Sequence, residues 1–223
     1  MIDSHDFSYD DDRHEYRNSA GIVRPSVTQA LKLANVIDYS RVPPSILENA
    51  RRRGSNVHRW TGEWDRYGDI DRTWIQEDEV PYFEAWLRFR RESRFVIDQI
   101  EQPMLRSVRG IEIGGTPDRV GYLGRNRFVL DIKCCRSRHY GWGLQVALYE
   151  MMLTGRARLG HLGRLIVQLF PTGNYSAFPL EAHDDAPAAL AALTLATTED
   201  RFEADEALLT LNAWKWNRGI ATA

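Results

Sequence analysis

Gly115-Thr116-Pro117-Asp118 and the later run Leu130-Asp131-Ile132-Lys133 decide the fold of this chain and point to its chemistry. Apolar residues surround the second run, which predicts a buried strand over residues 128–134. Side chains alternate along a strand, so Asp131 and Lys133 project from one face. We expect Asp118, on the preceding strand of the same hairpin, to reach the same side. Burying such charges costs several kcal/mol unless they are paired or bind metal.

Around this hairpin the sequence predicts an α/β fold, a central mixed β-sheet flanked by helices. Ser26 and Gln29 form a capping box, which predicts the start of a helix. Further helices are predicted at 45–60, interrupted near Gly54, and at 83–94 and 143–153, the last ended by Gly155. Strands are predicted at 95–97, 102–108, 115–122, 128–134, 165–170 and 175–180.

The predicted organisation is an acidic tail over residues 1–19 and one domain over 20–223. The tail contains Asp3, Asp6, Asp10, Asp11 and Asp12, and we expect it to be mobile. Within the domain we predict a mainly helical part, a sheet that carries the active site, and C-terminal helices, at 20–94, 95–180 and 185–216.

Composition excludes several classes of protein. The formal net charge of -2 in 223 residues means that nucleic-acid binding would need a local basic surface. No apolar run approaches the roughly 20 residues of a membrane span, so we expect a cytoplasmic protein without a membrane partner. Cys134 and Cys135 are the two cysteines, too few for a disulfide framework, a four-cysteine zinc site or an iron–sulfur cluster.

Asp118, Asp131 and Lys133 suit the hydrolysis of phosphodiesters. Carboxylates can hold Mg²⁺, which lowers the pKa of a bound water, and an ammonium can orient that water. Among 29 basic residues only Lys32, Lys133 and Lys215 are lysines, so an incidental cation in this chain would be an arginine. Taken alone, Asp-x-Lys is explained equally well by an ion pair that supports the sheet.

The run Pro117-Asp118, Asp131-Ile132-Lys133 and Gln145 to Tyr149 resembles the motifs of the PD-(D/E)XK nuclease superfamily. The match is with its RecB-type exonuclease branch, which includes phage and mitochondrial single-strand exonucleases. The resemblance implies a restriction-endonuclease-like core and a site for Mg²⁺ or Mn²⁺. It implies that Asp118, Asp131 and the backbone carbonyl of Ile132 bind the metal, and that Gln145 and Tyr149 position the phosphate and the surroundings of the lysine.

Upstream, Gly54 and His58 resemble the Gly-x-x-x-His element of the same branch, in which the histidine joins the metal shell. An imidazole beside carboxylates suits Mn²⁺ better than Mg²⁺. Glu101 is a weaker candidate from the same comparison, and a solvated acid at a strand edge explains it equally well.

Two groups of arginines flank these motifs and are predicted to contact DNA phosphates. They are Arg51, Arg52 and Arg53 before His58, and Arg136 and Arg138 after Lys133. Four aromatic residues nearby would stack on unpaired bases or, as an equal alternative, belong to the core; these are Trp60, Trp64, Tyr140 and Trp142.

The sequence therefore predicts a metal-dependent DNA exonuclease that hydrolyses phosphodiester bonds from single-stranded or duplex ends without sequence specificity. A role in DNA recombination or repair would follow. An endonuclease of the same superfamily and a non-catalytic DNA-binding subunit are the alternatives. Polarity, RNA as a substrate, and assembly into a homo-oligomer or with a recombination partner protein stay open.

Overall fold

The structure, a computed structural model, describes residues 7–220, and in that range the chain forms ten strands and six α-helices. The strands are β1 (Ser8–Asp10), β2 (Glu15–Arg17), β3 (Val23–Arg24), β4 (Val96–Ile100), β5 (Met104–Val108), β6 (Ile111–Gly115), β7 (Arg119–Leu123), β8 (Asn126–Lys133), β9 (Gly163–Leu169) and β10 (Tyr175–Pro179). The helices are α1 (Val27–Leu33), α2 (Pro44–Tyr67), α3 (Val80–Ser93), α4 (Gly141–Thr154), α5 (Asp185–Thr197) and α6 (Arg201–Trp216). A short 3₁₀ helix spans Arg72–Trp74.

The central sheet has five strands in the order β10-β9-β8-β7-β4. β8 pairs antiparallel with β7, with Arg119 opposite Leu130, and parallel with β9, with Asp131 opposite Ile166. Parallel neighbours need a crossover connection, and α4 supplies it between β8 and β9. The predicted mixed sheet flanked by helices is therefore confirmed.

Helices cover both faces of this sheet and bury β8 between them. Val129 packs in a large core with α1, α4, α5 and α6. Leu130 and Ile132 point the other way, into a second core with α2 and α3. Asp131 and Lys133 follow Val129 at the period of two residues, so they face the side of α4.

The predicted strand over 115–122 is divided in two. β6 ends at Gly115 and pairs with β5 in a separate two-stranded sheet, whereas β7 starts at Arg119 in the central sheet. Pro117 lacks an N–H and cannot donate to a ladder, and the chain changes sheets at this point. Asp118 consequently lies in a bend and not inside a strand.

The helix predicted at 45–60 continues through Gly54 and ends at Gly68, which has a left-handed backbone conformation (φ 75°). A glycine inside a helix costs about 1 kcal/mol relative to alanine. Burial of Val57 and Trp60 on the same helix exceeds that cost.

Within the acidic tail predicted over residues 1–19, residues 8–17 form the β1–β2 hairpin, and the mobility of the tail stays a prediction. Tyr16 is buried on Gly114 of β6, and its hydroxyl lies 2.7 Å from Oγ1 of Thr116. This burial of an aromatic ring fixes the hairpin. Asp3 and Asp6 lie outside the described residues.

Within residues 7–220, no helix has both the length and the apolar character required to cross a bilayer.

Candidate active site

Asp118 and Asp131 come together where β7 begins beside β8. Asp118 immediately precedes β7, and the β7–β8 register places it next to the end of β8. The backbone N–H of Ile132 donates to Oδ2 of Asp118 at 2.6 Å. Asp118 and Asp131 are 9 % and 1 % exposed, so both carboxylates are removed from bulk water.

Lys133 links the carboxylates to helix α4. Its Nζ lies 2.7 Å from Oδ2 of Asp131 and donates to Oε1 of Gln145 at 2.9 Å. Gln145 in turn donates from Nε2 to the hydroxyl of Tyr149 at 3.2 Å. The four-residue spacing on one helix face, seen in the sequence, therefore brings Gln145 and Tyr149 to the lysine.

His58 reaches the same site from α2. Its Nδ1 lies 3.2 Å from Oδ1 of Asp118. Glu101 also lies beside the site, because its backbone N–H donates to the carbonyl of Asp118 at 3.0 Å. The structure thus brings together the predicted His58, Asp118, Asp131, Lys133, Gln145 and Tyr149.

Arg119 is a site residue that we did not identify in the sequence. It is fully buried, and its guanidinium donates to Asp65 at 2.7 Å, to the carbonyl of Asp118 at 2.7 Å and to Thr61 at 3.2 Å. It lies 3.7 Å from Glu101. A signal existed, since this arginine directly follows Asp118 within the strand predicted over residues 115–122, beside the strand predicted to be buried.

The surroundings of the two aspartates shift their pKa values in opposite directions. The pKa of Asp131 is raised to about 6, because burial and the neighbouring charge of Asp118 together outweigh the lowering effect of Lys133. Burial also acts to raise the pKa of Asp118, but His58 and Lys133 lower it on balance. Asp118 is therefore the stronger acid of the pair.

The two basic groups of the site retain their protons more firmly than in water. Burial would lower the pKa of Lys133, but Asp131 and Asp118 raise it above its ordinary value. Burial likewise opposes protonation of His58, and the charge and hydrogen bond of Asp118 outweigh it. Each of the two basic groups thus lies against one of the two carboxylates inside the protein.

The donor chemistry of the site fits a hard divalent cation. Carboxylate oxygens and an imidazole nitrogen suit Mg²⁺ and Mn²⁺. Oδ2 of Asp131 is buried and lies 2.7 Å from Nζ of Lys133, so the ammonium of Lys133 neutralises it. Among residues 7–220, however, no three His, Cys, Asp or Glu side chains are already grouped as a metal site. His58 faces Asp118 and Lys133 faces Asp131, so the donors are paired with each other.

The site opens into a cleft of about 930 Å³. Its floor includes Asp118, Thr116 and Tyr149, and α1, α2 and the β1–β2 hairpin form its walls. Basic side chains in the lining are Lys32, Arg59 and Arg66. Arg66 contacts Glu101 at 3.3 Å, while Lys32 and Arg59 have no acidic partner within the described residues.

None of the five arginines predicted to contact DNA is among the described residues that line this cleft. Arg52 instead pairs with Glu79 at 2.9 Å and with Asp78 at 3.0 Å. Arg53 lies over the ring of Tyr82, and Arg138 lies 3.8 Å from the ring centre of Phe178. Arg51 and Arg136 are exposed. Contact of these five with DNA stays a prediction, and the cleft adds Lys32 and Arg59.

The prediction of base stacking is wrong for two of the four aromatic residues, and the alternative, a place in the core, holds for them. Trp60 is buried and donates to Glu79 at 3.0 Å, and Trp142 is buried in the core beside α4. Trp64 and Tyr140 also pack against core clusters while remaining partly exposed. Cys134 and Cys135 are free thiols, as expected.

No protein-family model matches the sequence, and no curated protein matches it. Among solved structures, SSO0001 is 16 % identical with a TM-score of 0.34, over 60 % of this chain and 67 % of that one. A "putative exonuclease" from Eubacterium rectale is 16 % identical with a TM-score of 0.44, over 74 % of this chain and 68 % of that one. Similarity at this level assigns neither a family nor an activity. The activity of this chain must follow from the chemistry of its own side chains.

Proposed function

We propose that this chain is a metal-dependent deoxyribonuclease of the PD-(D/E)XK superfamily, related to the RecB-type exonucleases. It would hydrolyse phosphodiester bonds from DNA ends without reading the base sequence. One observation carries the proposal: buried Asp118 and Asp131 share a site with Lys133, and Asp118 of that site lines an open cleft. A purely structural ion pair would not need two carboxylates, a histidine and an open cleft.

Asp118, Asp131, His58 and the carbonyl of Ile132 would hold Mg²⁺ or Mn²⁺. The bound ion would supply Lewis acidity, lowering the pKa of a water molecule and offsetting the charge of the phosphate. The burial of both Asp118 and Asp131 supports this assignment, because buried carboxylates are costly unless cations neutralise them.

Lys133 would place its ammonium against the negative charge that develops on the phosphate. Gln145 holds that ammonium by accepting from Nζ, so the lysine has one defined position. An arginine could not replace it easily, since its planar guanidinium has a different shape and does not exchange a proton near neutral pH.

Lys32 and Arg59 support recognition of the DNA backbone. Both line the cleft, on α1 and α2, and have no acidic partner in the described part of the chain. Cations of this kind bind phosphates irrespective of the bases. Recognition through the backbone alone would make cleavage independent of sequence.

The test uses end-labelled linear single-stranded and duplex DNA, with Mg²⁺, Mn²⁺ or EDTA. We expect degradation that needs the metal, and a loss of about 10²–10³-fold or more in Asp118→Asn and Lys133→Ala. Glu181→Gln, an exposed carboxylate outside the cleft, is the matched control and should keep full activity.

Circular single-stranded DNA distinguishes the alternatives. Resistance of the circle supports an exonuclease, and its cleavage means an endonuclease. DNA binding without metal-stimulated cleavage would mean a non-catalytic subunit. Full activity of either folded site variant, checked by circular dichroism, would refute the assignment.

A further inference from the structure

Helix α6 exposes a row of large apolar side chains on its outer face. Phe202, Leu209 and Trp216 are 78 %, 72 % and 78 % exposed and recur every seven residues. Ala213, also exposed, lies on the same row, and half-exposed Leu208 lies beside it. This row is separate from the inner face, where Ala207, Leu211 and Trp214 join the core. α6 therefore has two apolar faces.

A seam between two helices has apolar residues at two positions of each heptad, and Phe202, Leu209 and Trp216 occupy one of these positions. Single exposed apolar residues are common on protein surfaces, but three large ones on one helix face, two of them aromatic, favour a contact surface, although Asp205, Glu206 and Asn212 lie between them. Nothing within residues 7–220 covers this row. We expect another helix to pack along this row.

We infer that the chain forms a symmetric dimer in which the outer row of α6 packs antiparallel on the same row of a second copy. Phe202 and Trp216 lie at equal distances along the chain from Leu209. With Leu209 on the twofold axis, Phe202 of each copy would face Trp216 of the other. A twofold contact requires such self-complementarity.

The charges of α6 favour the antiparallel direction. Its N-terminal half contains Glu203, Asp205 and Glu206, whereas residues 210–218 contain no acid. A parallel pair would place the acidic halves side by side, and like charges repel. In the antiparallel pair Glu206 would face the amide of Asn212, which is a hydrogen-bond donor.

The exposed surface is large enough for a dimer of moderate affinity. The aromatic side chains Phe202 and Trp216 expose roughly 300 Å² per copy. With Leu208, Leu209 and Ala213 added and both copies counted, the apolar contact is on the order of 1,000 Å², which is the lower limit for a specific interface. Formation of the dimer should therefore depend on concentration.

Sedimentation velocity of the full chain over a range of concentrations tests the dimer. We expect a monomer–dimer equilibrium, and Leu209→Glu should raise the dissociation constant at least about 100-fold, because two buried glutamates would meet on the axis. Ile46→Glu, at an exposed site in the first turn of α2, is the control and should leave the equilibrium unchanged. Unaltered thermal unfolding of the Leu209→Glu monomer would show that the fold is intact.

Cysteine cross-linking tests the direction. A mixture of Phe202→Cys and Trp216→Cys chains should give a cross-linked heterodimer, and Phe202→Cys chains alone should not cross-link through that position. A wild-type monomer at all concentrations would overturn the inference. A dimer insensitive to Leu209→Glu, or efficient Phe202→Cys homodimer cross-links, would do the same.

Discussion

Gln145 connects the charged centre of the site to the helix that carries it. Its oxygen accepts from Lys133 and its nitrogen donates to Tyr149, and these two contacts fix the orientation of the amide. A neutral side chain can thus position an ammonium without cancelling its charge. Tyr149 is itself fixed, because its ring packs against Gly115 and leaves no room for a Cβ there.

We expect Gln145→Ala to lower kcat about 10–100-fold with little change in KM, because Lys133 would lose its defined position. Tyr149→Phe should have a smaller effect, since Gln145 would retain its contact with the lysine. Steady-state kinetics on single-stranded DNA would measure both. Thr154→Val on the same helix, which removes a hydroxyl bonded to the carbonyl of Glu150, is the control. An unchanged kcat in Gln145→Ala would contradict the positioning role.

At this scale the sequence predicts contacts that depend on local periodicity. Asp131 and Lys133 follow from the alternation of a strand, and Gln145 with Tyr149 from the turn of a helix. Arg119 and Asp65 could not be paired in the same way, because the two residues meet across 54 positions of sequence. No local pattern encodes a contact of that kind.

Among the elements, α2 departs most clearly from its prediction. The sequence predicts an interruption at Gly54, and the helix instead runs through it for 24 residues. Because the helix is continuous, His58 and Asp65 lie on the same element. His58 contacts Asp118, and Asp65 contacts Arg119. Contacts along the whole helix stabilise it, and these contacts are not visible in local propensity.

Gly54→Ala should stabilise the protein by about 0.5–1 kcal/mol, because alanine favours a helix and a Cβ at this position meets no atom within 4 Å. The expected rise in Tm is about 2–4 °C, measured by calorimetry. Gly62→Ala on the same helix is the control. Its Cβ would lie 3.0 Å from Glu101 and 3.1 Å from Arg66, so it should give no gain. A lower Tm for Gly54→Ala would mean that the helix is not continuous.

The strand boundary at 116–118 shows why element limits are difficult to predict. The sequence predicts one strand over residues 115–122, but Gly115 pairs with Met104 whereas Arg119 pairs with Leu130. Which partner a strand finds depends on distant residues. Pro117 was the local indication of a break.

Across the whole molecule, Asp65 joins three elements through buried ion pairs. From α2 it contacts Arg119 of β7 at 2.7 Å and Arg90 of α3 at 3.1 Å. Asp65 and Arg119 have no exposed side-chain surface. The ion pairs of Asp65 therefore connect the second core to the bend that contains Asp118.

Asp65→Ala should destabilise the fold by about 3–5 kcal/mol, because it leaves a buried guanidinium without its counter-ion. Asp98→Ala removes a pair of the same chemistry, to Arg127 at 2.7 Å, whose side chains are 36 % and 40 % exposed. Asp98→Ala should lower the free energy of unfolding by about 0–1 kcal/mol. Denaturant titration of both variants would compare them, and equal losses would show that the Asp65 pair does not anchor the fold.

Metal binding should also be visible in the stability of the whole protein. A ligand that binds only the folded state adds about 2.7 kcal/mol at a concentration 100 times its dissociation constant. We therefore expect Mn²⁺ or Mg²⁺ to raise the Tm of the wild type and not that of Asp118→Asn. An equal shift in both proteins would place the ion elsewhere.

At the scale of the molecule, the mixed sheet and its flanking helices are predictable because long apolar segments set them. The N-terminal three-stranded sheet is not, since its strands have two or three residues and depend on one buried tyrosine. The acidic composition near Asp10 gives no sign of this sheet, because the contact of Tyr16 with Thr116 joins residues that are 100 positions apart.

The ring of Tyr16 occupies the space in which a side chain at position 114 would stand, since a Cβ there would lie 2.1 Å from the ring. The residues at positions 16 and 114 should therefore change together among homologues. Lineages that keep the tyrosine would be restricted to glycine at 114, and lineages that lose the hairpin would be free to acquire larger residues. An alignment of diverged relatives should show this covariation, even though the two residues are separated by almost half of the chain.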